Sequence, residues 1–430
     1  MKKYLICFLM IVLIQVVTIY AGPGRDTGGG GPVSLEFWSS LTGARVNTFD
    51  DQVAQFNARE QNASVNVIHQ GGYNIVRHRM AAAANARALP QLVIVDYIDV
   101  AGWAQMGLLY PVSNILPREL VNDYYPSMLI DLYYEGDLYA IPYNRSTQAM
   151  FVNNDLLREA GLSGPARTWQ QFESDARTLR QRLGTDYYYG YAFFHQFLFD
   201  AISLSWNAAI SSPDGRILLN SPEQIAMMEY FQRLHQERLL LMQPVLVGGF
   251  QEQHGAFLDG RVASVFQTTS FLPVADDMLD SDWSMEYMPA GPAGNAITIG
   301  GGNIALTSGV NNNELDAARR FLEHMSSPDL VAQFFIQTGN IPVRQSVMQR
   351  NDIQSILRAN PSARVMMDQL QFGRPVPSLT KNLGDVFNRV NDIISLIILE
   401  GRDARTVLNE YTRQFQLEFD ELIANGEFIF

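Results

Sequence analysis

Residues 142–162 read PYNRSTQAMFVNNDLLREAGL, in which small hydrogen-bonding side chains come directly before an apolar run. The apolar run, AMFV at 149–152, is typical of a β-strand, and an amphipathic segment follows it. The polar residues are Asn144, Arg145, Ser146 and Thr147. We predict that this strand crosses from one half of the fold to the other. The polar groups would then line a cleft between two lobes and bind a small polar ligand there.

The length and charge of the chain limit its architecture and its partners. A chain of 430 residues is too long for one hydrophobic core, so two domains are expected. The composition, with 47% hydrophobic and 17% charged residues, is that of an ordinary globular protein. A formal net charge of -13 argues against a nucleic-acid partner, which requires a basic surface. It leaves room for an anionic small ligand, because a cleft can be locally positive on an acidic protein.

The N-terminal residues predict an export signal. Lys2 and Lys3 precede an apolar run that extends to about Ala21, and we interpret 1–21 as a signal peptide. Gln15 interrupts the run, which argues against a permanent membrane helix. An uncleaved anchor stays open as the alternative. We therefore expect an exported, periplasmic protein that is either released or retained at the membrane by this segment.

The residues before position 33 contain the one cysteine of the chain and a glycine-rich stretch. The one cysteine, Cys7, lies inside the apolar run, so the mature protein would have no disulfide, no thiolate metal site and no cysteine nucleophile. Residues 22–32 are rich in glycine and predict a flexible tether.

Strand and helix patterns alternate from residue 33 onward. VSLEFW at 33–38, SVNVIHQ at 64–70 and LVIV at 92–95 are strand-like, and helical patterns separate them. This order predicts an α/β fold with parallel strands. In such sheets ligands bind beyond the carboxyl ends of the strands, where 38–42, 70–73 and 96–99 fall.

Capping signals define several later helices. Thr168 and Gln171 predict a capping box, and Ser327 followed by Pro328 predicts another helix start. Asp403 is expected to cap a last helix. The run GGGNIAL at 300–306 predicts a short strand after three glycines.

The histidines give no metal signature. None of the six stands in a His-Glu-x-x-His arrangement or a comparable spacing, so we expect neither a metal site nor a cofactor. They are His69, His78, His195, His235, His254 and His324.

Several segments in order resemble the extracellular solute-binding proteins of ABC importers. They include EFWSSLTG, LPQLVIVD, GDLYAIPYNRSTQAMFVNNDLLREAGL, RTWQQFESDARTL and GGGNIALTSG, and together they extend over nearly the whole mature chain. Within that family the sequence is most similar to the glycerol-3-phosphate-binding branch, chiefly through PYNRST and GGY.

The resemblance implies a two-lobed periplasmic-binding-protein fold, type II-like, with several crossover segments and the ligand cleft between the lobes. The N-terminal lobe would comprise 33–143 and about 300–345, and the C-terminal lobe 144–299 and about 346–430. It also implies a monomer that closes on a glycerol phosphate, a glycerophosphodiester or a sugar. The protein would deliver that ligand unchanged to ABC permease subunits in the membrane.

The branch also implies ligand-binding positions. They match Tyr73, Ser146, Thr268, Gly301 and Arg389, the last across a one-residue gap. Arg389 would bind a phosphate or carboxylate, and the two hydroxyl groups would donate hydrogen bonds.

The chain departs from the branch at other positions. Tyr97, with Asp96 beside it, replaces an acidic residue, and Asn340 replaces a tyrosine. Phe194 and Trp206 stand near the place of a tryptophan pair. Because sugar rings stack on aromatic faces, the site would accept a larger or more neutral ligand than glycerol phosphate.

Two other classes of function stay open from the residues alone. An exported carbohydrate-active enzyme would require two carboxylates around a glycosidic bond, and Asp96, Asp99 and Glu135 are available but paired by no motif. A surface adhesin would have no buried ligand site.

Overall fold

The computed structural model describes residues 32–193, 196–243, 249–377 and 386–427. Strands and helices alternate between residues 33 and 96, as the sequence pattern predicts. The strands are β1 (Val33–Ser39), β2 (Ala63–His69), β3 (Leu92–Asp96), β4 (Leu109–Tyr110), β5 (Tyr133–Tyr134), β6 (Asp137–Leu138), β7 (Ala140–Asn153), β8 (Gly190–Phe193), β9 (Leu240–Gln243), β10 (Ser264–Thr268), β11 (Trp283–Glu286) and β12 (Ile299–Thr307).

Helices occupy most of the remaining described chain. They are α1 (Ala44–Arg59), α2 (Tyr73–Ala86), α3 (Val100–Gln105), α4 (Arg118–Asn122), α5 (Pro126–Leu129), α6 (Asn154–Glu159), α7 (Trp169–Leu183), α8 (Gln196–Ser205), α9 (Pro222–Gln236), α10 (Gly249–Leu258), α11 (Leu272–Met278), α12 (Asn312–Met325), α13 (Pro328–Thr338), α14 (Asn351–Ala359), α15 (Pro361–Asp368), α16 (Val386–Ile394) and α17 (Ala404–Asn425). A π-helical segment, Ser395–Leu399, continues α16.

The principal sheet has the strand order β2-β1-β3-β12-β7-β10-β8-β9, with β4 beside β12 and β11 beside β7. β1 is parallel to both β2 and β3, while β12 runs antiparallel to β3. The sheet is therefore mixed, and the predicted α/β class is confirmed. The parallel strands at one edge follow from the helical crossovers α1 and α2 between them.

β7 joins two parts of this sheet, and it contains the polar cluster at 144–147. Its first half, up to Thr147, pairs with β12. Its second half, from Gln148, pairs with β10 and β11. The change of partner falls directly after the polar cluster, where the sequence predicts that the chain crosses between halves of the fold.

Buried hydrophobic side chains form two clusters. The first surrounds β1, β3 and β12 and includes Phe37, Ile94 and Phe321. The second surrounds α7, α9 and the C-terminal helices and includes Phe172 and Phe415. The buried hydrophobic side chains of the described chain are thus divided between two clusters, and the predicted lobe boundaries remain a prediction.

The structure forms the three predicted helix starts, which differ in their side-chain capping bonds. Thr168 accepts a hydrogen bond from the Gln171 N–H, but the Gln171 side chain accepts from the Arg167 N–H, so the predicted capping box is only half formed. Asp403 accepts from the Thr406 N–H and caps α17 as predicted. Ser327 is the N-cap residue of α13 but makes no side-chain capping bond. The predicted strand after the glycine run is β12.

The predicted signal peptide at 1–21 and all but the last residue of the predicted tether lie outside the described residues. Within the described ranges, no helix has both the length and the apolar character that crossing a bilayer requires.

Candidate functional site

A cavity of about 520 Å³ is lined by residues from all three predicted strand ends, at 38–42, 70–73 and 96–99. We call its lining residues between Ser40 and Tyr97 the first wall, and those between Ser146 and Val274 the second wall. Asn144, Gly300 and Gly301 lie between the walls and form the floor.

Six of the ten predicted site residues line this cavity. They are Tyr73, Asp96, Tyr97, Ser146, Thr268 and Gly301. Tyr73 begins α2, Asp96 and Thr268 end β3 and β10, and Ser146 lies in the middle of β7, where the strand changes partners. The structure brings these six residues to one cavity, and their role in binding a ligand remains a prediction.

The floor depends on residues without side chains. Gly301 has a φ of 106°, and a Cβ atom there would lie 2.0 Å from the Asn144 carbonyl oxygen. A Cβ atom on Gly300 would lie 2.6 Å from the Phe197 ring. Glycine at these positions lets β7 and the second wall approach β12 closely.

Strand alternation divides the polar cluster of β7. Asn144 and Ser146 line the cavity, whereas Arg145 and Thr147 point to the opposite face and are fully buried. The prediction that all four line the cleft is therefore wrong for Arg145 and Thr147. Successive side chains of a strand face opposite sides, so alternate residues alone can share the cavity.

Arg145 fixes the floor from behind. Its guanidinium donates to the Ile299 carbonyl oxygen at 2.7 Å, to Asn303 Oδ1 at 3.1 Å and to the Gly301 carbonyl oxygen at 3.3 Å. Burial lowers the pKa of this guanidinium from its ordinary value. These neutral acceptors tie β7 to β12 beneath the glycine run.

Two carboxyl groups stand at the end of β3. Asp99 forms a bidentate pair with Arg77, with both N–O distances at 2.8 Å, while Asp96 lies 3.7 Å from the same guanidinium. Burial, and then the charge of Asp99, raise the pKa of Asp96 above its ordinary value. Asp96 is the member of the pair that lines the cavity.

Hydroxyl and aromatic groups complete the lining. Asn144 Nδ2 donates to the Tyr73 hydroxyl at 3.2 Å, and burial raises the pKa of that phenol. In the second wall the Thr268 and Ser270 hydroxyls lie 2.7 Å apart, and the His254 ring stacks on Phe271 at 4.3 Å.

Some lining residues were missed or only partly anticipated. Arg45, in the first turn of α1, is a charged member of the first wall. The predicted sheet edge at 38–42 ends just before it, so its position could have been inferred. His254 and Gln267 follow from no local signal: the pairing of β10 with β7 brings Gln267 to the cavity, and the packing of α10 on β8 and β10 brings His254.

Three predicted site residues, Asn340, Trp206 and Arg389, do not line the described cavity. Asn340 is buried, and its Nδ2 donates to the Arg145 carbonyl oxygen at 3.2 Å, so it supports β7 from behind. Trp206 lines a second cavity of about 350 Å³ with Trp169 and Tyr230. Phe194 lies outside the described residues.

Arg389 is the third of these residues. Its guanidinium forms a bidentate pair with Glu418, at 2.6 Å for one bond, and lies 4.5 Å from the centre of the Phe415 ring. This placement corrects the prediction that Arg389 binds the ligand from the cavity lining. Its guanidinium instead contacts a carboxylate and an aromatic ring of α17.

The described residues provide no set of metal ligands. Among the residues that the structure describes, no group of three or more histidine, cysteine, aspartate or glutamate side chains is placed to hold a metal ion.

Comparison with known proteins identifies the family. The profile of the bacterial extracellular solute-binding proteins matches residues 51–360, which is over half of the chain. The chain belongs to this family. A curated relative is the sn-glycerol-3-phosphate-binding periplasmic protein UgpB of Escherichia coli K12, which is 22% identical over 373 residues, 81% of this chain and 83% of the relative.

Solved structures of solute-binding proteins share the fold. UgpB of Mycobacterium tuberculosis, solved with glycerophosphocholine, superimposes with a TM-score of 0.80 at 25% identity and covers 92% of this chain and 100% of its own. The GacH receptor of Streptomyces glaucescens, solved unliganded and with acarbose, gives a TM-score of 0.77 at 18% identity, covering 90% and 98%. The predicted two-lobed fold is confirmed by these matches.

The predicted function class is also confirmed: the protein is a solute-binding protein of the ABC-importer type. The relatives are binding components of transporters, and they give no support to the alternative of a carbohydrate-active enzyme. The extracellular family and the periplasmic relatives imply export.

Proposed function

We propose that the cavity between the two walls captures a small polar molecule of the glycerol phosphate or glycerophosphodiester class. The observation that carries this proposal is the convergence of Tyr73, Asp96, Ser146 and Thr268 on one cavity of about 520 Å³. That volume suits a molecule of this size, since ligand pockets fall between roughly 300 and 1,000 Å³. The names of the UgpB relatives support the same ligand class.

The walls differ in chemistry in a way that suits such a ligand. Asp96 in the first wall presents carboxylate oxygens that accept hydrogen bonds from glycerol hydroxyls, or that attract a cationic substituent. Ser146 and Thr268 present hydroxyl groups that donate to phosphoryl oxygens. Tyr97 and Phe197, with ring centres 6.3 Å apart, cover the apolar part of the ligand.

Capture would proceed by closure of two lobes, 33–143 with about 300–345 against 144–299 with about 346–430. The change of partners along β7 after Thr147 supports a crossover at this boundary. Contacts made only in the closed form would shift the lobes toward closure. A shift from mostly open to mostly closed requires about 5.5 kcal/mol of differential affinity.

The closed protein would then dock as a monomer on ABC permease subunits and release its ligand without reaction. We place it in the periplasm, either free or held at the membrane by an uncleaved N-terminal segment. The UgpB relatives support this placement, since they are periplasmic binding proteins.

A sugar is the second candidate ligand. Two observations favour it: Arg389 is paired with Glu418 rather than lining the cavity, and aromatic rings of Tyr97, Phe197 and Phe271 contribute to the lining. A neutral sugar needs aromatic faces and hydroxyl partners but no guanidinium.

The test is a ligand screen on the purified protein. Thermal unfolding is measured with sn-glycerol 3-phosphate, glycerophosphocholine, glycerol and maltose, and each mixture is analysed for breakdown products. We expect stabilisation by a phosphate ester at concentrations above its Kd, without turnover. Turnover would contradict the binding-only function. The absence of stabilisation by every compound, at millimolar concentration, would contradict the proposed ligand classes.

A further inference from the structure

Arg45 is a charged side chain of the first wall, and within the described chain its guanidinium forms no ion pair. It lines the cavity and is partly exposed there. Within the described part of the chain, no carboxylate lies within ion-pair distance of its guanidinium; Arg77, by contrast, is held by Asp99. A guanidinium in a cleft without a protein anion is available to bind an anion from solution.

The backbone around Arg45 adds to the positive potential of the first wall. α1 begins at Ala44, directly before Arg45, and its N-cap residue Gly43 provides no side-chain acceptor for the first-turn N–H groups. The first turn contains no acidic residue. The Val46 N–H donates to the Gly43 carbonyl oxygen, so the N–H groups left for an anion are those before Val46, and the positive end of the helix dipole favours an anion at the same point.

A buried serine at the same place also lacks a partner. Ser40 lines the cavity and is 4% exposed, yet its Oγ has no hydrogen-bond partner in the structure. A buried hydroxyl without a partner costs free energy, which a ligand oxygen can recover. Thr42, which also lines the cavity, stands between Ser40 and the helix start.

α2 presents a second uncapped start to the cavity. Its first residue is the lining residue Tyr73, and its N-cap Gly72 likewise makes no side-chain capping bond. Arg45 is close enough to Tyr73 for its charge to counter the rise in the pKa of that phenol. The cationic part of the first wall thus extends from Arg45 toward Tyr73.

We propose that Arg45, with the N-terminus of α1 and Ser40, binds the anionic group of the ligand, a phosphate or a carboxylate. This inference rests on the proposed function, and it assigns the anion to the first wall. Asp96 lines the same wall and binds the hydroxyl or cationic end. A ligand that contacts both Arg45 and Asp96 would carry either an anionic and a cationic group at separate ends, or an anionic group and a polyol.

The test compares Arg45→Gln with Arg59→Gln. Arg59 lies exposed in the last turn of the same helix, about 20 Å from Arg45. Both variants remove one positive charge from this helix, but only Arg45→Gln removes it from the cavity. Binding of sn-glycerol 3-phosphate, glycerophosphocholine, citrate and maltose is measured by calorimetry at low and high salt. The first three compounds carry anionic groups of different kinds: a phosphate monoester, a phosphodiester (in a zwitterion) and carboxylates.

We expect Arg45→Gln to weaken binding of the preferred anion about 10- to 100-fold and to flatten its salt dependence, with Arg59→Gln within about twofold of the wild type. Arg45→Lys should restore part of the loss. Undiminished anion binding by Arg45→Gln with unchanged folding would overturn the assignment and leave the proposed function standing. Wild-type protein that binds maltose but none of the anions would also overturn it.

Discussion

The two walls of the cavity differ in charge. The first wall contains Arg45 and Asp96, whereas the described lining residues of the second wall are hydroxyl, amide, aromatic and aliphatic, with one histidine. Burial lowers the pKa of that histidine, His254, so it is neutral at neutral pH. Among the described lining residues, the ionisable arginine and aspartate therefore both belong to the first wall, and the second wall presents neutral polar, aromatic and aliphatic groups.

This difference suggests an order of events. A charged wall attracts an ionic ligand over a longer range than hydrogen bonds act, so the first wall would bind before closure. Neutral hydroxyl groups act only at contact distance, so the second wall would add its energy after closure. The floor of glycine residues serves both walls, because it sets how closely they approach.

Substitution of the floor should have the largest effect. Gly301→Ala would place a Cβ atom 2.0 Å from the Asn144 carbonyl oxygen at a φ of 106°. We expect the free energy of unfolding to fall by roughly 2–4 kcal/mol and ligand binding to be lost. Urea unfolding measures the first effect and calorimetry the second.

Gly294→Ala is the matched control for the floor. Gly294 has a similar φ of 97°, but a Cβ atom there meets nothing within 4 Å. Its loss of stability should be about 1 kcal/mol. Equal losses in the two variants would show that backbone strain, and not the close approach of β7 to β12, explains the glycine.

Asp96→Asn should separate binding from stability in the first wall. Removing the carboxylate removes a charged acceptor from the cavity, so affinity should fall about 10-fold. Stability should rise, because repulsion with Asp99 disappears. Asp99→Asn is the control: it leaves the Arg77 guanidinium without its bidentate partner, so stability should fall. A stabilised Asp99→Asn would contradict this division of roles.

The pKa of Asp96 also predicts a pH dependence. Because its folded pKa is raised, the folded state holds a proton that the unfolded state has released. The unfolding free energy contributed by this group is therefore greatest at low pH and decreases as the pH rises above the ordinary carboxyl range. Asp96→Asn should give a flatter profile in urea unfolding measured from pH 4 to 8. An unchanged profile would assign the dependence to other groups.

Ser146→Ala tests the second wall and should have a smaller effect. Loss of one neutral hydrogen bond should weaken binding by about 1 kcal/mol, with folding intact. Thr147→Val is the control on the opposite face of β7, where the Thr147 hydroxyl accepts from Gln369 Nε2. It should lower stability and leave the Kd unchanged. A Ser146→Ala variant with wild-type affinity would exclude this hydroxyl from the ligand contacts.

Arg389→Gln should have the smallest effect on binding. Its partner is Glu418, whose side chain is 39% exposed, so stability should fall by less than about 1 kcal/mol. Affinity for phosphate esters should change less than twofold. A selective loss of phosphate-ester binding in calorimetry would instead show that Arg389 leaves Glu418 for the ligand, and the second wall would then be charged in the closed form.

Much of the fold was predictable from local patterns. The alternation of strand and helix through β3, the Asp403 cap and the strand after the glycine run all depend on neighbouring residues, and the structure contains them. The division of β7 into two faces was also available from the sequence, because side chains alternate along any strand. The prediction that all of 144–147 line the cleft did not take this alternation of side chains into account.

What the sequence by itself determined is the order of elements, the family and the sheet edge that Tyr73 and Asp96 share. Those follow from periodicity, caps and motif order, which act over a few residues. Only the tertiary structure decided that Arg389 pairs with Glu418, that Trp206 faces a second cavity and that Arg45 lines the first wall without a carboxylate partner within the described chain. Which partner a long side chain reaches depends on helices and strands that are distant in sequence, and packing alone brings them together.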